Sequence, residues 1–134
     1  MTVDGQPRPP VLRVMYVEDD RVSALLFREA LRAEPAVELR LAEDGAQALA
    51  LAAGWTPQVL VLDAHLPDTN GHALLARLRG LPGLAATPAF MCSADGEPDD
   101  LERARVAGFA GFWTKPFMAA TVLATLMQLV RPRS

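Results

Sequence analysis

The chain contains a single cysteine and no strongly basic stretch. Cys92 is the one cysteine among 134 residues, which excludes an internal disulfide and fits a reducing compartment. Because Cys92 lies in an apolar run, we expect a buried and unreactive thiol. Lysine and arginine are scattered, and the formal net charge is −3. This composition predicts neither a nucleic-acid partner nor any other polyanionic one.

Long apolar segments are also missing. No run approaches the roughly 18 to 20 apolar residues that a membrane-spanning helix needs. The first ten residues are polar and rich in proline, without the apolar centre of a signal peptide. We therefore expect a cytoplasmic protein with a flexible leader at residues 1–10, one domain at residues 11–131 and a short tail at 132–134.

Short apolar runs alternate with helical patterns along the whole chain. Val59-Leu60-Val61-Leu62 is fully apolar, ends in Asp63 and is flanked by turn residues, which is typical of a strand buried on both faces of a parallel sheet. In the first predicted helix, Val22, Leu26 and Ala30 recur at i+4 spacing, with Leu25 beside them, which predicts an apolar stripe facing the core. Strands are expected at residues 11–17, 37–42, 59–63, 89–92 and 109–114, and helices at 20–33, 46–53, 71–79, 98–107 and 118–130. Five strands alternating with five helices predict a doubly wound α/β fold.

Polar residues follow these strands where each one ends. In a parallel sheet those ends share one edge, the place where open α/β sheets bind ligands. Taken singly, each residue has an ordinary interpretation as a helix cap, a turn residue or a surface lysine. Their joint placement favours a functional site instead. The residues are Glu18, Asp19 and Asp20 after the first strand, Asp63 at the end of the third, Ser93 after the fourth and Lys115 after the fifth.

Four motifs in this order resemble the receiver domain of two-component response regulators. They are Val17-Glu18-Asp19-Asp20, Leu62-Asp63 with the loop Leu66-Pro67-Asp68-Thr69-Asn70-Gly71, Cys92-Ser93-Ala94, and Thr114-Lys115-Pro116-Phe117. The Tyr16-Val17-Glu18-Asp19 start is similar to receivers associated with hybrid sensor histidine kinases. The resemblance implies a flavodoxin-like (βα)5 fold with strand order 2-1-3-4-5. It also implies a signalling domain and not an enzyme.

The same resemblance implies a phosphoacceptor site at Asp63. A sensor histidine kinase or a histidine phosphotransfer protein would donate the phosphoryl group from a phosphohistidine. The family's cofactor is Mg²⁺, for which Mn²⁺ could substitute. Its ligands here would be Glu18, Asp19, Asp63 and the backbone carbonyl of His65.

The remaining roles implied by the resemblance concern the switch. Lys115 would contact the carboxylate and then the phosphoryl group, and the hydroxyl of Ser93 would bind a phosphoryl oxygen. Phe112 would then move inward behind the Ser93 loop and alter the face formed by the fourth helix, fifth strand and fifth helix. His65 and Asp95 would tune the lifetime of the phosphorylated state.

The last helix has no charged residue between Lys115 and Arg131. A helix that packs only one side on a sheet normally has a polar opposite side. Small residues and three polar ones could form that exterior, but we favour a covered face, which predicts a homodimer or docking onto a partner.

Two other functions stay open at this stage. One is a receiver-like interaction module that is not regulated by phosphorylation. The other is a magnesium-dependent phosphohydrolase with an aspartyl-phosphate intermediate, which would usually have a second acid two residues after the nucleophile, where His65 stands. The sequence also leaves open whether the chain is a stand-alone regulator or part of a hybrid kinase.

Overall fold

A computed structural model describes residues 12–32, 34–94, 96, 98–115 and 119–130. The strands are β1 (Leu12–Val17), β2 (Val37–Ala42), β3 (Val59–Asp63), β4 (Ala89–Ser93) and β5 (Gly111–Thr114). The helices are α1 (Arg21–Leu31), α2 (Gly45–Gly54), α3 (Gly71–Leu78), α4 (Pro98–Ala107) and α5 (Ala119–Val130). The predicted leader at 1–10, the predicted tail at 132–134 and Asp95 lie outside the described residues.

The five strands form one parallel sheet in the order β2-β1-β3-β4-β5. This confirms the predicted doubly wound fold and its strand order. β3 lies at the centre of the sheet and all five of its residues are buried, as its continuous apolar run indicates. Asp63, its last residue, therefore lies in the middle of the carboxyl edge of the sheet.

Helices cover both faces of the sheet. Successive residues of a strand point to opposite faces, so each strand can contribute side chains to two cores. On β1, Met15 and Val17 pack in a core that includes side chains of α2, α3 and α4. Val14 and Tyr16 pack in a second core that includes side chains of α1 and α5. None of the helices in the described part of the chain is both long enough and apolar enough to cross a membrane.

The apolar stripe predicted for the inner face of α1 is wrong. Val22, Leu25 and Leu26 are 64%, 56% and 59% exposed, whereas Phe27 and Leu31 are buried. Phe27 packs on the buried ring of Tyr16, with 4.4 Å between the ring centroids. The larger aromatic side chain therefore determines which face of α1 contacts the sheet, and the aliphatic stripe faces outward.

Polar side chains start three of the helices by accepting backbone hydrogen bonds. Such caps satisfy amide groups that the first turn of a helix leaves without a partner. The capping bonds are those of Asp20 with Ser23, Asp44 with Gln47 and Asn70 with Ala73.

Candidate functional site

The acidic cluster lies at the carboxyl edge of the sheet, on the side of α1 and α5. Glu18 follows Tyr16 by two residues, and Asp63 follows Val61 by two. Tyr16 and Val61 both belong to the core beneath α1 and α5. Because side chains two apart along a strand share a face, the neighbouring strands β1 and β3 deliver both carboxylates to the same place.

Three of the predicted metal ligands come together there. Carboxylate oxygens of Glu18, Asp19 and Asp63 lie within 4.8 Å of one another. Glu18 and Asp63 are 3% and 5% exposed, and Asp19 is exposed to solvent. Two buried carboxylates beside an open one form a site that a cation can reach from solvent.

Lys115 joins the two buried carboxylates. Its ammonium forms an ion pair with Oε1 of Glu18 and lies 3.1 Å from Oδ2 of Asp63. Burial lowers the pKa of Lys115, but the bonds to Glu18 and Asp63 outweigh burial, so the pKa is raised above its usual range. The single lysine of the chain is thus held as a cation at the point that the sequence predicted for it.

The charge of this cluster is only partly neutralised. Burial, followed by the hydrogen bond to the neighbouring Asp63 carboxyl, raises the pKa of Glu18 above its usual range. The contacts with Lys115 and Tyr16 oppose that shift. Lys115 supplies one positive charge beside three carboxyl groups, so a further cation would relieve their mutual repulsion.

Tyr16 is a component of the site that the sequence analysis missed. Its side chain is fully buried, and its hydroxyl donates to Oε1 of Glu18 at 2.8 Å. Sγ of Cys92 lies 3.9 Å from the same hydroxyl oxygen. The two-residue spacing between Tyr16 and Glu18 along β1 is the signal that would have placed them together.

The loop after β3 folds back on Asp63. The amide of His65 donates to Oδ1 of Asp63 at 3.2 Å, while the His65 side chain is exposed. A β-carbon on Gly71 would lie 2.9 Å from the carbonyl oxygen of Asp63, so this close approach requires glycine. His65 is therefore next to the acidic cluster, while its carbonyl as a metal ligand stays a prediction.

Asp68 attaches this loop to the start of α2. Its two carboxylate oxygens accept from the amides of Gly45 at 2.9 Å and Ala46 at 3.0 Å. These bonds lower the pKa of Asp68 below its usual range, with Gly45 the first cause. The contact spans more than 20 residues of chain, and nothing local in the sequence indicates it.

Ser93 and Phe112 lie on the other side of the sheet edge, beside a cavity of about 880 Å³. Phe112 packs against the core beneath α2, α3 and α4 and is half-buried. Ser93 is buried at the end of β4. The predicted switch pair thus shares one cavity, which α4 also lines through Arg103 and Val106.

The donor atoms of the acidic cluster fit a hard divalent cation. Mg²⁺ and Mn²⁺ prefer carboxylate, carbonyl and water oxygens, and Mg²⁺ usually binds through one or two carboxylates while keeping several waters. The cluster offers three carboxylates, with Asp19 on the solvent side. No His or Cys belongs to this group among the residues that the structure describes, so a soft or borderline metal is not indicated.

Comparison with known proteins gives the same family from sequence and from structure. A sequence model described as "Response regulator receiver domain" matches residues 14–127. The chain is 36% identical over 129 residues to a probable transcriptional regulatory protein, TcrX, of Mycobacterium tuberculosis, covering 96% of this chain and 52% of that protein. It is 32% identical over 103 residues to an uncharacterized 14.6 kDa protein of Leptolyngbya boryana, covering 77% and 78% of the two chains.

Among solved structures, the chemotaxis protein CheY4 of Vibrio cholerae superposes with a TM-score of 0.81 at 25% identity. That alignment covers 88% of this chain and 98% of CheY4. The chain spans about half the length of the mycobacterial regulators it resembles.

Proposed function

Since the chain belongs to the response regulator receiver family, we propose that Asp63 accepts a phosphoryl group from a phosphohistidine. The observation that carries the proposal is the position of the Asp63 carboxylate. It is nearly buried at the centre of the carboxyl edge, 3.1 Å from the Lys115 ammonium and within the acidic cluster. A carboxylate held in this way can act as a nucleophile toward phosphorus.

The transfer forms one bond and breaks another. An oxygen of Asp63 forms a bond to phosphorus as the bond from phosphorus to the donor imidazole nitrogen breaks. The electron pair of the broken bond stays on that nitrogen. Little covalent chemistry is left for the protein, so its side chains act mainly by position and charge.

Lys115 and the loop amide hold Asp63 for this reaction. The ammonium lies on Oδ2 and the His65 amide on Oδ1, so both oxygens are oriented before a donor arrives. Lys115 would follow the negative charge onto the phosphoryl oxygens, and the Ser93 hydroxyl would donate to one of them.

Glu18, Asp19 and Asp63, with the His65 carbonyl, would hold Mg²⁺, or Mn²⁺ in its place. The bound ion would supply positive charge that offsets repulsion between the carboxylates and the incoming phosphoryl oxygens. The burial of the Glu18 carboxylate supports this assignment, because burial disfavours a negative charge that no cation compensates.

The switch would use the cavity behind Ser93. Movement of Ser93 toward the phosphoryl group would leave room for Phe112 to turn inward and would alter the face formed by α4, β5 and α5. The exposed side chains on that face include Val106 of α4, at 71%, and Leu129 of α5, at 40%, which supports a partner or a second copy docking there. His65 and Asp95 would tune the phosphoryl lifetime, and the domain would act in the cytoplasm.

Intact mass tests the proposal most directly. Wild type and Asp63→Asn are incubated with acetyl phosphate or phosphoramidate, with and without Mg²⁺. We expect one added phosphoryl group in wild type that requires Mg²⁺, and none in Asp63→Asn, which should keep the fold. Uptake by Asp63→Asn at another residue would refute the assignment. Without an adduct or beryllofluoride binding in wild type, the unphosphorylated docking module becomes the better explanation.

A further inference from the structure

We infer that Tyr16 is a positioning residue for the metal site, acting through the Glu18 carboxylate. Its hydroxyl donates to Oε1 of Glu18 at 2.8 Å, and its side chain has no exposed surface. This inference rests on the proposed function, because it assumes that Glu18 serves a divalent cation. It assigns to a core residue a role in holding one of the acids of that site.

Glu18 needs such an anchor because of its length. A glutamate side chain has one more rotatable bond than an aspartate, so more conformations must be excluded to keep its carboxylate in place. Among the described residues, three donors bind the Glu18 carboxylate: the Tyr16 hydroxyl and the Lys115 ammonium on Oε1, and the amide of Asp20 on Oε2 at 3.2 Å.

The three donors differ in what else they bind. Lys115 also lies 3.1 Å from Asp63, so it is shared with the phosphoacceptor and is drawn toward any charge that develops there. The Asp20 amide belongs to the turn that starts α1. Tyr16 instead lies in a strand, where its ring packs on Phe27. Its hydroxyl is therefore the one of these donors that is carried by a side chain of the core beneath α1 and α5.

The surroundings of Tyr16 make this contact specific. The hydroxyl lies in a buried region where an unmade hydrogen bond is costly, so the Glu18 carboxylate and the Tyr16 hydroxyl hold each other in place. Cys92 offers only a weak sulfur contact at 3.9 Å to the same oxygen. Glu18 is thus the strong acceptor for this hydroxyl.

A mutant cycle with Mg²⁺ as the ligand tests the inference. Calorimetric titration with MgCl₂ compares wild type, Tyr16→Phe, Glu18→Asp and the double variant. Tyr16→Phe keeps the ring on Phe27 and removes the hydroxyl alone. We expect it to weaken Mg²⁺ binding roughly tenfold, the size typical of losing a group that orients a metal ligand. In the Glu18→Asp background the shorter acid does not reach the hydroxyl, so Tyr16→Phe should change the affinity little.

Cys92→Ala is the matched control, since it removes the sulfur that contacts the hydroxyl and leaves the Glu18 bond in place. Its Mg²⁺ affinity should equal that of wild type. An equal loss from Tyr16→Phe in both backgrounds, or the same loss from Cys92→Ala, would mean that general packing is responsible and would overturn the inference.

Wild type alone provides a second measurement that does not depend on the folding of any variant. Tyr16 is the only tyrosine of the chain, so ¹³C-labelled tyrosine gives a single ring system in an NMR spectrum. We expect its hydroxyl-bearing carbon to shift with the same midpoint as Mg²⁺ binding. If the chemical shift of this carbon does not change while Mg²⁺ binds, the role of Tyr16 alone is overturned. A wild-type protein that binds no Mg²⁺ would overturn the proposed metal site together with this inference.

Discussion

The two sides of the carboxyl edge of the sheet are built differently. On the side of α1 and α5, Glu18, Asp63 and Lys115 are joined by short charged contacts, and Tyr16 donates to one of them from the core. On the side of α3 and α4, Ser93 and Phe112 line a cavity of about 880 Å³. Hydrogen bonds and ion pairs hold the side chains on the side of α1 and α5 in place, whereas the side of α3 and α4 has an unfilled cavity.

Under the proposed function, this difference would separate the phosphoryl chemistry from the signalling switch. Phosphoryl transfer depends on groups that are already in position when the donor arrives, which short charged hydrogen bonds provide. A switch requires an alternative position for a side chain, which a cavity provides and a close-packed core does not. The following substitutions test this division, beginning with the largest expected effect on the fold.

Lys115→Ala should cause the largest loss of stability, on the side of α1 and α5. It leaves two nearly buried carboxylates without their cation, and breaking a buried pair in this way costs about 3 kcal/mol of unfolding free energy. Denaturant unfolding at neutral pH without metal measures the loss. Mg²⁺ should then recover part of it, because a ligand that binds the folded state stabilises it.

Arg105→Ala is the control for that comparison. Arg105 pairs with Glu102 at 2.6 Å, but both side chains are more than 60% exposed. Exposed pairs contribute little, so no measurable loss is expected. Equal losses for Lys115→Ala and Arg105→Ala would contradict the distinction between the buried cluster and the surface.

Asp68→Ala should have an intermediate effect, confined to the loop after β3. It removes two hydrogen bonds to the start of α2, whereas Asp44→Ala removes the bond to Gln47 from the same helix end without touching the loop. Both variants should lose stability, and Asp68→Ala should also slow phosphoryl uptake, roughly a few-fold, by loosening the loop beside Asp63. Intact mass against time measures the rate. Equal rates in the two variants would show that the attachment is structural only.

Ser93→Ala should disturb the fold less than Lys115→Ala or Asp68→Ala, and should affect the response most. Phosphoryl uptake should persist, but the change that follows on the cavity side should disappear. Trp113, next to Phe112 on β5, stacks on Phe90 at 4.7 Å and reports on that strand by its fluorescence. The measurement uses a Trp55→Phe background, in which Trp113 is the remaining tryptophan.

Ser93→Thr keeps the hydroxyl and should retain the emission change on phosphorylation. An unchanged response in Ser93→Ala would show that the cavity side does not follow Asp63 through this serine.

The local pattern of the chain predicts its architecture well. Apolar runs ending in polar residues identify the strands. Asp63 emerges because a carboxylate at the end of a fully buried strand is unusual and the strand ends share one edge. Glu18 and Lys115 meet Asp63 as expected for the same reason.

The pattern of apolar and polar residues predicts less well how segments distant in sequence pack on one another. The stripe of Val22, Leu25 and Leu26 has the right period for a buried face, yet it points outward because Phe27 contacts the sheet. Periodicity identifies an amphipathic helix, but its rotation about its own axis depends on which side chains fill the space above the strands.

The sequence by itself determined the order of the elements, the parallel sheet and the residues at its carboxyl edge, because these follow from short-range patterns of apolar and polar residues. Only the tertiary structure decided which face of α1 contacts the sheet, and that Asp68 attaches to α2. It also decided the Tyr16–Glu18 bond and the placement of Ser93 and Phe112 beside a cavity. Each of these depends on side-chain packing in three dimensions, which the one-dimensional pattern constrains only weakly.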